Sequence, residues 1–219
     1  MTADDVANYL QENPSFFEAY QDLLAHLSVP HPHGGRTISI AERQVLTLRE
    51  KSRQLETKMV ELLRFGEEND AIGEKVHRFS IALASALEAS TALAAVHSHL
   101  TEDFQVPHVA LRLWGTATRI EAPEFGTVAA ATRSYAAGLK HPYCGPNAGF
   151  EAATWFGDGG AQILSLVLVP LRRTPEDAEA VGLLALGSEE SERFYSGMGT
   201  VFLERIGDLV SANLLRVLG

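Results

Sequence analysis

From Ile40 to Val106 the chain contains no proline, and within that stretch Val45, Leu48, Ser52, Leu55, Met59, Leu62 and Gly66 follow one another at alternating spacings of three and four. Five of these positions are large and apolar, and they lie along one side of a helix as a coiled-coil-like seam. Ser39-Ile40-Ala41-Glu42 has the form of a capping box, so the helix is expected to start at Ile40. It is expected to run to about Glu88, with Gly73 as a place for a bend. At ~1.5 Å per residue such a helix reaches roughly 70 Å, more than one small domain can cover. A second copy of the chain is the simplest cover for Val45, Leu48, Leu55, Met59 and Leu62, although folding back on the same chain is also open.

The segments on either side differ in character. Before the seam, Asp4–Gln11 reads as one short helix. Asn13-Pro14 reads as the cap and first residue of another, carrying Phe16, Phe17, Tyr20, Leu23, Leu24 and Leu27. So dense an apolar stripe must be buried, and Phe16, Phe17, Tyr20 and Leu24 form a candidate partner surface. Pro30–Gly35 reads as an irregular turn. After the seam, Ser90-Thr91 is expected to cap a new helix, and 108–114 alternates as a half-buried strand. Arg119–Glu121 suggests a second strand, Gly126–Leu139 a helix, and His141–Gly149 a loop with at most a short strand. Ile163–Leu171 is apolar on both faces, as an interior strand would be. The link to Val181–Gly187 is too short for a parallel crossover, so the two should form a hairpin. A last helix is expected over Met198–Leu218, with Met198, Phe202, Ile206, Leu209, Val210 and Val217 on its apolar face.

Charge and composition exclude several functions. The net charge is −10, and the basic stretch Arg49, Lys51, Arg53 and Lys58 stands among acidic neighbours, so nucleic acid is not an expected partner. No cation precedes Arg36, which argues against a leader peptide. No apolar run is long enough for a membrane span. Cys144 is the only cysteine, which excludes an internal disulfide and a cysteine-based zinc site and points to a reducing cytoplasm.

No catalytic or metal-ligating constellation appears. His31 and His33 lack further ligands, and His97 and His99 point to nearly opposite sides of one helix. His141 and Cys144 invite a nucleophile reading, but spacing supplies neither a positioned base nor an orienting group. Gly157-Asp158-Gly159-Gly160 lacks the lysine of a phosphate loop. Ser165 and Ser191 lack the nucleophile-elbow setting, and Glu67-Glu68 and Glu189-Glu190 read as solvated surface.

The stretch Val181–Ser188, then Arg193-Phe194-Tyr195, then a helix with Phe202–Ile206, resembles the ending of a GAF domain. Asn13-Pro14-Ser15-Phe16-Phe17, Pro30–Gly35 and Ser39–Gln44, with Cys144-Gly145 and the Ser165–Leu171 strand, resemble the bacterial domain-of-unknown-function 484 family. The resemblance implies an α+β protein. Residues 1–88 would be a helical region with a long coiled-coil-like helix, and 89–219 a GAF-like antiparallel sheet flanked by helices. It also implies genes that often sit beside a tyrosine site-specific recombinase. The expected function is a non-catalytic regulatory or sensory homodimer holding a small molecule, with no particular cofactor indicated. Its pocket would lie between the sheet and the excursion from Phe125 to Trp155, with Phe125, Tyr143, Cys144, Trp155, Phe156 and Ser165 as candidates. The alternative is a ligand-free scaffold for protein–protein interaction.

Overall fold

The computed structural model describes residues 2–21, 23, 28–30, 37–114, 116, 120–174 and 177–218. The chain divides into two compact units, Met1–Glu67 and Glu68–Gly219.

In the first unit, helix α1 spans Ala3–Glu12. Thr2 and Asp5 form a reciprocal capping box: the Asp5 amide donates to Thr2 Oγ1 at 3.3 Å and the Thr2 amide to Asp5 Oδ2 at 2.6 Å. Asn13 ends this helix rather than starting the next, because its amide and its side-chain Nδ2 both donate back to the Tyr9 carbonyl. A single turn, α2, follows over Phe16–Ala19 with Ser15 as its cap. Gln21 and Leu23 beyond it are again helical, and Leu24 and Leu27 lie outside the described residues. Phe16 is the hub of this segment: its ring stacks on Tyr20 at 4.8 Å and meets Tyr9 edge-on at 6.3 Å. Strands β1 (Ser28–Pro30) and β2 (Thr37–Ser39) pair antiparallel; Pro30 of the expected turn Pro30–Gly35 belongs to β1, and residues 31–36 lie outside the described ones.

Helix α3 spans Ile40–Ser85 without interruption, and Gly73 lies inside it. It starts where expected, although the side chains of the Ser39–Glu42 box are outside the described ones. Within the first unit its seam is uncovered: Leu55 and Leu62 are 68% and 69% exposed, and Val45, Leu48 and Met59 are exposed as well. Its last turns belong to the second unit, where Phe79 and Leu83 are buried in the core.

The second unit is built on a four-stranded antiparallel sheet in the order β3-β6-β5-β4. The strands are β3 (His108–Leu113), β4 (Tyr143–Pro146), β5 (Ser165–Leu171) and β6 (Gly182–Ser188). β5 and β6 pair as the expected hairpin, with Leu168 opposite Ala185, and both are central. Side chains alternate across the sheet with period two. On one face Leu111, Val167, Val169, Leu184 and Leu186 pack under the end of α3, under α4 (Ala89–Glu102) and under α6 (Val201–Leu218). On the other, Ala110, Leu166, Leu168, Leu183 and Ala185 pack against α5 (Ala130–Gly138) and a 3-10 stretch over Glu151–Gln162.

Several local expectations are overturned. α3 stops at Ser85, before Glu88, where α6 takes over its end: Asn213 Nδ2 donates to the Leu83 carbonyl in its last turn, and Arg216 Nη2 donates at 2.6 Å to the carbonyl of Ala86, just past the helix. α4 then begins at Ala89 after extended Glu88, so Ser90-Thr91 sit inside its first turn and do not cap it. Ile120 and Glu121 form no strand, since Ala122, Phe125 and Gly126 close tight local turns around Pro123. α5 starts only at Ala130, because Val128 is buried in the core and the Glu151 carboxylate takes the Ala129 amide. α6 starts at Val201, and its buried face also includes Leu214 and Leu218. It approaches β5 closely at Gly207, where a Cβ would lie 2.6 Å from Val169 Cγ1.

Candidate functional site

The excursion between β3 and β5 crosses one face of the sheet and leaves a cavity of about 300 Å³ beneath it. Its walls are Thr132 and Tyr135 of α5 with Phe150 and Glu151, and Leu168 of β5 also lines it. The Phe150 ring lies tilted against Tyr135 at 5.4 Å and against Tyr143 of β4 at 5.0 Å between ring centres. Glu151 is held in place: its carboxylate accepts from the Ala129 amide at 3.2 Å and from Thr132 Oγ1 at 2.5 Å. Burial, with the neighbouring Tyr143, pushes the Tyr135 phenol up, so it stays a neutral hydrogen-bonding group at the rim. An apolar floor with aromatic walls and a few fixed polar groups is the usual composition of a small-molecule site.

Beside this cavity lies a partly buried polar cluster. The Arg112 guanidinium sits over the Trp155 ring at 5.2 Å, and the charges of Glu124 and Glu151 act on it. Glu124 Oε1 lies 3.2 Å from His97 Nε2, and that hydrogen bond is the main cause holding the Glu124 carboxyl below its ordinary range.

The six pocket residues expected from the sequence are not brought together. Tyr143, Trp155 and Phe156 pack on the excursion side, whereas Phe125 and Cys144 pack against the opposite core. None of the six lines the cavity just described. Strand alternation is the reason for Tyr143 and Cys144, which are adjacent on β4 and so face opposite ways. Phe156 covers Gly187 of β6, where a Cβ would meet its ring at 2.8 Å. Ser165 is fully buried and structural: its hydroxyl donates to the Glu190 carbonyl at 2.5 Å and accepts from the Phe194 amide.

The remaining candidates are separated as well. His97 and His99 have different partners, Glu124 and Asp103. His141 pairs with Glu204 at 3.0 Å, while burial pushes the Cys144 thiol up, away from the reactive thiolate. His31 and His33 lie outside the described residues. Among the described residues no group of three or more His, Cys, Asp or Glu is placed to hold a metal ion, and no helix is long and apolar enough to cross a membrane. The sequence does not single out Arg112, Thr132, Tyr135, Phe150 and Glu151, since no spacing rule links a strand, a helix and the start of a 3-10 stretch.

Fold and cavities define an α+β protein whose C-terminal unit is an antiparallel sheet flanked by helices, with a concave site under its excursion. The comparison with known families then places it. The chain belongs to the family described as "Protein of unknown function, DUF484", which matches residues 1–217. No curated protein matches it. Among solved structures, it is similar to a free methionine-R-sulfoxide reductase from Neisseria meningitidis in complex with its substrate, at 16% identity and a TM-score of 0.47. That match covers 67% of this chain and 89% of the other.

Proposed function

We propose that this chain is a non-catalytic regulatory protein of the cytoplasm, in which a GAF-like C-terminal unit binds a small molecule and a paired α3 carries the response. The observation that supports it best is the cavity of about 300 Å³ between sheet and excursion, walled by Tyr135 and Phe150 with Glu151 fixed at its edge. The exposed seam Val45, Leu48, Leu55, Met59 and Leu62 supports self-association, because its spacing matches a second helix of the same kind. A ligand shifts such a pair only if it binds two arrangements with different affinity.

The test is a thermal-shift screen of the full chain against a broad metabolite panel, repeated on Ala131→Trp. Ala131 lines the cavity and is itself exposed, so the indole fills the space without entering the core. Stabilisation by a compound that this variant abolishes is expected. A panel with no stabilising compound, or one whose hits survive the change, counts against the reading. A ligand-free scaffold is the second reading, favoured by the aromatic cluster of Phe16, Phe17 and Tyr20, in which Tyr20 is exposed. Loss of a partner on Phe17→Asp, with folding retained, would favour it.

A further inference from the structure

A second cavity, of about 360 Å³, lies on the other face of the sheet, between the last turns of α3, the end of α4, the β6–α6 connection and the start of α6. Its lining is almost wholly apolar, with Leu100, Phe104, Phe202 and Ile206 prominent. Two charged side chains line it, Lys75 and Arg193, and no carboxylate does among the described residues. In a chain with 28 acidic residues against 18 Lys and Arg, a site whose only described charged lining residues are cations departs from the charge balance of the chain.

Arg193 is only partly satisfied there. Its Nη2 donates to the Gln105 carbonyl at 2.6 Å and more weakly to the Phe104 carbonyl at 3.4 Å. Its Nε is buried and has no hydrogen-bond partner among the described residues. A buried donor left without an acceptor costs about 1–3 kcal/mol, and more for a charged group. Nor does any described carboxylate form an ion pair with Lys75. An apolar ligand alone would leave the Lys75 and Arg193 charges without a counter-charge, and a small inorganic anion would leave the hydrocarbon walls uncovered.

We propose that this cavity binds an amphipathic carboxylate, its hydrocarbon body against Phe104, Phe202 and Ile206 and its head group between Lys75 and Arg193. A carboxylate accepts from both cations, and its tail fits a cavity within the usual range of ~300–1,000 Å³. Because Lys75 and Ile72 belong to α3, the ligand contacts the long helix directly. The site is independent of the cavity under the excursion.

The experiment is calorimetric titration of the full chain with sodium decanoate below its micellar range, beside decanol and acetate. Decanoate is expected to bind once per chain, and decanol and acetate each about tenfold more weakly or worse. Lys75→Gln and Arg193→Gln should each weaken decanoate about tenfold. Gly199→Phe should abolish binding, since Gly199 lines the cavity and has open space for a Cβ, so the ring enters without moving the backbone. Ala131→Trp, in the other cavity, should leave decanoate binding unchanged. Thermal melts of each variant establish that it is folded. Absent decanoate binding overturns the proposal, as does equal affinity for decanol or binding that survives Gly199→Phe. If decanoate fails to bind and Gly199→Phe changes the molar mass in solution, the cavity is filled by a second copy, which also overturns it.

Discussion

The Arg172 guanidinium donates to the Leu139 carbonyl at 2.7 Å, at the end of α5. It also reaches the carbonyls of Ala136 and Ala137 on that helix and those of Asp177 and Ala178 in the β5–β6 connection. A cation here satisfies carbonyls that the helix end leaves unpaired and complements its dipole. One side chain thereby ties α5, the wall of the candidate pocket, to the sheet. Arg172→Ala is expected to lower stability by about 2–3 kcal/mol, read from urea unfolding, and to loosen the pocket wall. Arg172→Lys should restore only part of the loss, because an ammonium cannot span the same fork of acceptors.

Gly207 marks the closest approach of α6 to β5. Placing a Cβ 2.6 Å from Val169 Cγ1 forces the helix away from the strand. Gly207→Val should destabilise by about 1–3 kcal/mol. Combining it with Val169→Ala should recover part of that loss, and a double-mutant cycle in urea measures the coupling.

Acid should weaken the second unit through Glu124. The hydrogen bond from His97 lowers its folded-state pKa below the ordinary 4.5. A depressed carboxylate pKa contributes stability that is present above the unfolded value and lost as pH falls through the folded one. Asp103 shifts the same way, chiefly through its hydrogen bond with His99. Stability should therefore fall as pH drops below about 4.5, and Glu124→Gln should flatten that slope. Thermal melts between neutral and acidic pH test this.

Cys144 should be slow to react. It is half-buried against the core, and burial pushes its thiol up, so little thiolate exists at neutral pH. Iodoacetamide labelling followed by mass spectrometry should be slow in the native chain and rapid in urea. Cys144→Ser is expected to fold, because the two side chains are nearly the same size and the position is only partly buried.

The exposed seam gives a prediction about assembly. Leu55→Asp and Leu62→Asp put charges where an apolar stripe now faces outward. If α3 pairs with a second copy, light scattering should show a dimer for the native chain and a monomer for either variant, with helicity in the second unit retained.

The elements that depend on local pattern were legible in the sequence. The proline-free run and its three-four spacing specify α3 from Ile40 onward, and the continuous apolar run specifies β5 as an interior strand. The short link to β6 requires the hairpin, because nothing so short can carry a parallel crossover. What escaped the sequence depends on contacts between distant residues. α3 ends at Ser85, where Asn213 and Arg216, 130 positions further on, take the carbonyls of Leu83 in its last turn and of Ala86 just past it. The site was least legible of all. Cys144 and Tyr143 are neighbours in the chain but face opposite sides of the sheet, whereas Thr132, Phe150 and Leu168 line one cavity from α5, the excursion and β5. Periodicity says which face of an element is apolar, but only packing decides which faces meet, and a pocket exists where several of them meet incompletely.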